Sequence, residues 1–250
     1  MLKMENKACI IPTPTSGASG VLHIIVAAGI GSRFGADLPK QFVAMSGRPV
    51  IYHTVDAVRA ACATDDRVVL VISPEMVDVW KQIEAENGSP GVRVFPVGGA
   101  SRAATVANAL RATEGENVDV ITVHDGARPL LTVNVVKRLL AAARKEGSCG
   151  AIPVIPLSDS LRRLLPDGSS EAVDRSNYKA VQTPQVFPAR ILRHAYSSVD
   201  LSDASLTDDA SVVERFTGRP PEMVEGDPDN IKITHPTDLQ RAELILRSRR

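Results

Sequence analysis

The residues best placed to do chemistry gather in "VAAGIGSRFGADLPKQF", Val26 to Phe42, where an apolar run stops at a turn bearing Gly29, Gly31, Arg33, Gly35 and Lys40. Glycines let a backbone approach an anion closely, so that its N–H groups point at phosphate oxygens. The spacing of Gly29, Gly31 and Gly35 misses the G-x-G-x-x-G of dinucleotide sites, and no G-K-[ST] follows for a Walker A loop. The two cations are the informative part. A dinucleotide's diphosphate is held mainly by backbone and helix dipole, whereas Arg33 and Lys40 on one loop suit the higher charge of a triphosphate. Two surface cations on a loop would look the same in isolation.

Three further residues join them. Asp125 and Arg128 in "VHDGARPLL" stand at the end of the fourth predicted strand, where a carboxylate can hold a metal-bound phosphate or a ribose hydroxyl and an arginine can hold an anion. A pair that merely orders a turn would read identically. Lys232 in "DNIKIT", flanked by isoleucines, is oddly placed unless its amine reaches a cleft, although an edge-strand lysine has the same pattern. His124 reads as a packed strand residue, and no serine or cysteine nucleophile motif accompanies it. These residue types suit a reaction in which a phosphate oxygen, already ionised at neutral pH, attacks the α-phosphorus of a nucleoside triphosphate. Such a reaction needs in-line positioning and positive charge from Arg, Lys and Mg²⁺, and no general base.

Those residues must be positioned by a larger frame. From Val21 onward, the β-branched runs "VLHIIVAA", "RVVLVIS", "VRVFPVG", "VDVITVHD" and "GAIPVIPL" alternate with helical patterns. This is the rhythm of βαβ units, so an α/β fold with a doubly wound, mostly parallel sheet is expected. In "TVNVVKRLLAAARKEG", Val136, Leu139, Leu140 and Ala143 keep the i, i+3, i+4, i+7 spacing and Gly147 is the expected stop. Ligands of such sheets bind beyond the carboxyl ends of the strands, which places the glycine turn and Asp125 on one edge. Between about 158 and 183 the rhythm breaks into two strand-like runs around Pro166-Asp167-Gly168, read as a projecting hairpin arm that either covers a site, grips another subunit or is a solvated insertion. A helix near Pro188–Val199, a helix in "TDDASVVERF", an edge strand "EMVEG", a strand-like "NIKIT" and a last helix capped by Thr237 with Gln240 complete the pattern.

Composition excludes several alternatives. The chain has 250 residues, 44% of them hydrophobic, so residues 21–250 can form one domain around a sizeable core. Lys+Arg and Asp+Glu balance at 29 each, so no global field draws it to nucleic acid or a membrane surface. No apolar run approaches the ~20 residues of a membrane span, and residues 1–20 read as a flexible extension. Three scattered cysteines without ligand spacing argue against a disulfide framework or zinc site and for a reducing, cytoplasmic setting.

The chain also resembles the 2-C-methyl-D-erythritol 4-phosphate cytidylyltransferases of the non-mevalonate isoprenoid pathway. The likeness runs from about His23 to Leu246 through "AAGIGSRFGADLPKQF", "VGGASRAATV", "HDGARP", "PLSDSL", "VDRSNYKAVQTPQVF", "TDDASVVE" and "EGDPDNIKIT" in order. It implies a nucleotidyltransferase variant of the Rossmann-like fold that binds CTP with Mg²⁺, releases pyrophosphate and forms a homodimer with interlocking arms. By position, Ala27, Ala28, Gly29, Gly31, Gly99, Thr105 and Asp125 would line the nucleotide, and Arg33 and Lys40 would hold its triphosphate. Arg128, Ser160, Arg175, Thr183 and Lys232 would bind the sugar-alcohol phosphate, with Arg175 offered across the dimer. The resemblance makes Arg33, Lys40, Arg175 and Lys232 the catalytic set. The sequence departs from the family pattern at Ala100–Thr105 and at Ser160. Two other readings remain: a sister enzyme acting on ribitol 5-phosphate, against which "HDGARP" and "TDDASVVE" speak, and a silent nucleotide-binding scaffold, against which the retained cations speak.

Overall fold

The computed structural model describes residues 20–29, 34 and 38–249. Nearly all of the expected N-terminal extension therefore lies outside the described residues, as do Gly31 and Arg33.

The five apolar runs form strands of one sheet, and the amphipathic segments between them form its covering helices. In order these are β1 (Val21–Val26), a two-stranded ribbon of β2 (Ala44–Met45) and β3 (Arg48–Pro49), α1 (Val50–Arg59), β4 (Arg67–Val71), α2 (Val77–Asn87) and β5 (Arg93–Phe95). They continue with α3 (Arg102–Ala112), β6 (Val120–Asp125), α4 (Val133–Ala143) and β7 (Ala151–Pro156). After the hairpin β8 (Leu161–Leu164) and β9 (Ser170–Val173) come β10 (Lys179–Val181), β11 (Gln185–Pro188), α5 (Ala189–Ser198), α6 (Asp209–Thr217), β12 (Glu222–Glu225) and α7 (Pro236–Ser248).

The sheet order is β10-β7-β11-β6-β1-β4-β5, with β12 on β7. β6, β1, β4 and β5 are mutually parallel, β12 is parallel to β7, and β10 and β11 run antiparallel. Alternate residues of β1 feed opposite faces: Val21 and Ile25 pack with α1, α2 and α4, while Leu22 and Ile24 pack with α3, α5 and α6. This is the doubly wound arrangement expected from the pattern. In α4, Val136, Leu139 and Ala143 are buried as expected, but the helix stops at Ala143, and Gly147 sits beyond it with φ of 73°.

Three local expectations are corrected. "NIKIT" is not a strand and pairs with no strand of the sheet, because its backbone and side chains are engaged elsewhere: the Ile233 N–H bonds to the Ala127 carbonyl and the Ile233 side chain is buried with Phe34, Met45 and Leu130. The last helix starts after His235, not at Thr237: Pro236 occupies its first turn, and the Asp238 carboxylate accepts from the Thr234 and His235 N–H groups at 2.8 and 2.7 Å. β10 pairs with β7 in the main sheet, so the segment outside the sheet ends before Lys179. Within that segment β8 and β9 pair only with each other, around a turn in which Gly168 has φ of 84°.

Candidate active site

The turn after β1 is held from beneath by a glutamine. Gln41, 3% exposed, lies in a 3-10 turn (Lys40–Phe42) and donates to the Ala27 and Gly29 carbonyls at 2.7 and 2.9 Å. Gln41 and Phe42 are buried, which leaves the half-exposed Lys40 as the residue of this turn nearest solvent. Ala28 abuts the loop after β5: a Cβ on Gly98 would lie 2.5 Å from the Ala28 Cβ, so only glycine permits this approach. The next residue, Gly99, donates its N–H to Thr105 Oγ1 at 3.0 Å, and Thr105 in turn donates to the Ser101 carbonyl at 2.9 Å. Ser101 caps α3 by accepting from Ala104 N at 3.1 Å. Gly99 and Thr105 thus lock one loop, with Thr105 buried inside it.

Asp125 ends β6 in register with Val26 at the end of β1, which puts it beside the glycine turn. Three cations converge on its carboxylate. Lys232 Nζ lies 2.7 Å from Oδ2, Arg102 Nε lies 3.2 Å from Oδ1, and Arg128 Nε lies 3.7 Å from Oδ2. Burial would raise the Asp125 pKa, but the charges of Arg102, Lys232 and Arg128 outweigh it and hold the carboxyl far below the usual range. Arg102 also donates to Asp209 Oδ2 at 2.7 Å, and Asp209, the fully buried first residue of α6, accepts from Tyr196 OH at 2.5 Å. Burial opposes the Arg102 charge, while Asp209 and Asp125 more than restore it and raise its pKa. Burial lowers the Arg128 pKa against the opposing pull of Asp125.

Behind Asp125 a chain of donors fixes a neutral histidine. The Asp125 N–H donates to Thr183 Oγ1 at 3.0 Å, so the Thr183 hydroxyl donates to His124 Nδ1 at 3.0 Å, and His124 Nε2–H donates to the Arg128 carbonyl at 3.0 Å. Burial pushes the His124 pKa down to about 4. Asn230 closes the back wall, accepting at its carbonyl from Arg128 Nη1 at 2.7 Å and donating from Nδ2 to the Thr183 carbonyl at 2.8 Å.

The structure therefore brings Asp125, Arg128, Thr183 and Lys232 together, with the glycine turn and the Gly99–Thr105 loop alongside. Ser160 and Arg175 stand apart at the base of the hairpin, both exposed. Arg175 does not lie on the returning strand β9; Asp174 accepts from Ser176 N and starts a 3-10 turn (Arg175–Asn177) in which Arg175 donates to the Ser158 carbonyl. Arg102, Asp209 and Gln41 are contributions that residue type alone did not single out. A lone arginine opening a helix after a double glycine was the available signal for Arg102.

The donor set also bears on a metal. Asp125 Oδ1 and Oδ2 are engaged by Arg102 and Lys232, and Asp209 is closed by Arg102 and Tyr196. These residues fit a cation that brings its own phosphate ligands and takes at most one oxygen from Asp125.

A doubly wound sheet whose carboxyl edge packs three cations onto two carboxylates defines an α/β enzyme of phosphate-ester chemistry. The family model for 2-C-methyl-D-erythritol 4-phosphate cytidylyltransferase matches residues 21–248. The Chromobacterium violaceum protein of that name is 43% identical over 230 residues, covering 92% of this chain and 99% of the relative, and that of Bacteroides thetaiotaomicron is 40% identical over 223 residues, covering 89% and 98%. The solved Thermus thermophilus cytidylyltransferase superposes with a TM-score of 0.70 at 32% identity, over 91% of this chain and 99% of that one. The Francisella tularensis structure gives 0.73 at 28% identity, over 90% and 99%. The chain belongs to the 2-C-methyl-D-erythritol 4-phosphate cytidylyltransferase family and is a nucleotidyltransferase.

Proposed function

We propose that the chain joins CTP to 2-C-methyl-D-erythritol 4-phosphate, giving 4-diphosphocytidyl-2-C-methyl-D-erythritol and pyrophosphate for isoprenoid precursor synthesis. One observation carries the reading beyond family membership: Arg102, Arg128 and Lys232 share Asp125 and Asp209, three cations on two carboxylates at the sheet edge where substrates bind. An oxygen of the substrate phosphate attacks the α-phosphorus of CTP, the α–β anhydride bond breaks, and its electron pair leaves on pyrophosphate. No proton changes hands, which suits a site whose one histidine is neutral and sealed.

In this mechanism Lys40 and Arg33 hold the triphosphate. Ala27, Ala28, Gly29, Gly31, Gly99, Thr105 and Asp125 line the nucleotide. Lys232 leaves Asp125 for the incoming phosphate, and Arg128, Ser160, Thr183 and Arg175 bind the sugar-alcohol phosphate. Mg²⁺ arriving on CTP supplies further charge neutralisation, with Asp125 as its candidate protein ligand. The working form is a cytoplasmic homodimer joined through the hairpin. The exposed position of Arg175, tied only to Ser158 among the described residues, supports its service to the partner's site. Pyrophosphate release and product mass with CTP plus either methylerythritol phosphate or ribitol 5-phosphate test the chemistry; preference for the ribitol ester overturns the substrate assignment. Mixing inactive Arg175→Ala and Lys40→Ala chains tests the dimer, since heterodimers regain one intact composite site. Verified heterodimers without recovery refute sharing.

A further inference from the structure

At the amino edge of the sheet, away from Asp125, the fold assembles a second cluster. His23 comes from β1, Cys62 from the turn after α1 and Asp66 from the residue before β4, and one ligand atom of each lies within 4.8 Å of the other two. His23 is 3% exposed. Its Nδ1 is fixed at 2.9 Å from Thr122 Oγ1, while its Nε2 is buried without a hydrogen-bond partner, 3.6 Å from Asp66 Oδ2. That separation is too long for a hydrogen bond, so the buried Nε2 meets Asp66 only as an ion-pair neighbour, with the Cys62 sulfur in the same group of ligand atoms. Asp66 is itself oriented, its Oδ1 accepting from Val21 N at 2.8 Å and its Oδ2 from Ala63 N at 2.7 Å.

We propose that His23 Nε2, Cys62 Sγ and an Asp66 carboxylate oxygen bind one divalent transition-metal ion of the zinc type, with water as the fourth ligand. One nitrogen, one sulfur and one oxygen form a donor set that zinc accepts, and thiolate plus carboxylate neutralise its charge. The Thr122 contact is what a metal-bound imidazole requires of its other nitrogen, since it fixes the ring and leaves Nε2 outward. Ions have a way in: an open groove of about 410 Å³ is lined by Cys62 and Asp66, among others. Tetrahedral coordination at zinc bond lengths places ligand atoms roughly 3.5 Å apart, so the cluster closes by about 1 Å on binding. Rotation of Cys62, whose Sγ makes a weak 3.4 Å contact to the Val58 carbonyl, supplies the movement. The ion would staple the start of β1 to the α1–β4 connection, a structural role separate from cytidylyl transfer. Spacing did not announce this site, since Cys62 and Asp66 lie four residues apart in one connection while His23 comes from β1, a separate segment far upstream.

The test uses the full chain, stripped of metal with chelator. One equivalent of Co²⁺ should produce a thiolate-to-metal absorption band that Zn²⁺ displaces, and Zn²⁺ should raise the thermal unfolding midpoint. Cys62→Ser should lose both effects while keeping cytidylyl transfer, and Cys149→Ser, at the other free cysteine among the described residues, should keep both. No band at stoichiometric Co²⁺ in the wild-type chain overturns the proposal, as does a band that survives Cys62→Ser.

Discussion

Asp125 and the β8–β9 hairpin are both dense in charge, yet the charge does different work in each. Around Asp125 the carboxylate is buried and pinned from three directions by partly covered cations, Arg128 at 11%, Arg102 at 27% and Lys232 at 39% side-chain exposure, with Arg128 tied to the distant Asn230 carbonyl and the Asp125 N–H to the Thr183 hydroxyl. On the hairpin, Arg163 pairs with Glu171 and Arg162 with Ser170, all in contact with water. The same ion pair is therefore strong in one place and nearly inert in the other, because removing water raises both the attraction and the cost of leaving a partner alone. Number of charges says little about stability; depth says most of it.

Asp125→Asn puts the greatest strain on this contrast. It keeps the shape but leaves Arg102, Arg128 and Lys232 facing a neutral amide, and should cost roughly 4 kcal/mol in denaturant unfolding and about 10³-fold or more in cytidylyl transfer. A stable, active variant would erase the distinction between the two regions.

Acid comes next. His124 has a folded pKa of about 4, depressed by burial from its ordinary 6.5, so the unfolded chain takes up its proton first. Stability is then complete above pH 6.5, declines as pH falls toward 4 by about 3 kcal/mol, and levels off below. Asp125 adds little to this slope above about pH 5, since its stabilisation starts to be lost only as pH approaches the unfolded carboxylate pKa of about 3.9 and continues to fall toward its far lower folded value. Chemical denaturation from pH 7 to 4 should show the decline in the wild-type chain and a shallower one in His124→Gln.

Lys232→Met separates catalysis from folding. Asp125 keeps Arg102 and Arg128, so stability should change by about 1 kcal/mol or less, while kcat/KM for the sugar-alcohol phosphate should fall about 10²-fold. The smallest effect is expected on the arm. Because Arg163 and Glu171 both face water in the single chain, Arg163→Ala should alter the unfolding free energy by less than about 0.5 kcal/mol at concentrations too low for the proposed dimer to form, and a loss above about 1 kcal/mol under those conditions would refute the contrast.

The contrast also explains what the sequence made legible. The five main strands could be read because their apolar runs have one physical meaning in a sheet covered on both faces. Asp125 and the glycine turn could be placed on one edge because parallel strands put all their carboxyl ends there. "NIKIT" misled because alternation of isoleucines reports burial on one side and not the presence of a strand neighbour. The His235 start of α7 was hidden behind a more familiar Thr-x-x-Gln pattern, although Pro236 marked the first turn. Arg102 was missed because its two carboxylates, at 125 and 209, are distant in sequence. Gln41 was missed because a side chain supporting two carbonyls from below looks, in sequence, like any polar loop residue.

The position of β6 in the sheet has a consequence for how the chain comes into being. β6 lies between β1, which precedes it by about 100 residues, and β11, which follows it by about 60. During synthesis β1, β4, β5 and β6 can pair as soon as they emerge, but one edge of β6 must then wait, unpaired and apolar, for residues 185–188. The Arg102–Asp209 contact spans 107 residues and waits longer still. Such long-range closures slow assembly and leave a half-made sheet with an open edge prone to joining another chain. A truncated product ending before β11 should therefore be both inactive and aggregation-prone, and completion of the C-terminal third is the event that makes the site and seals the sheet together.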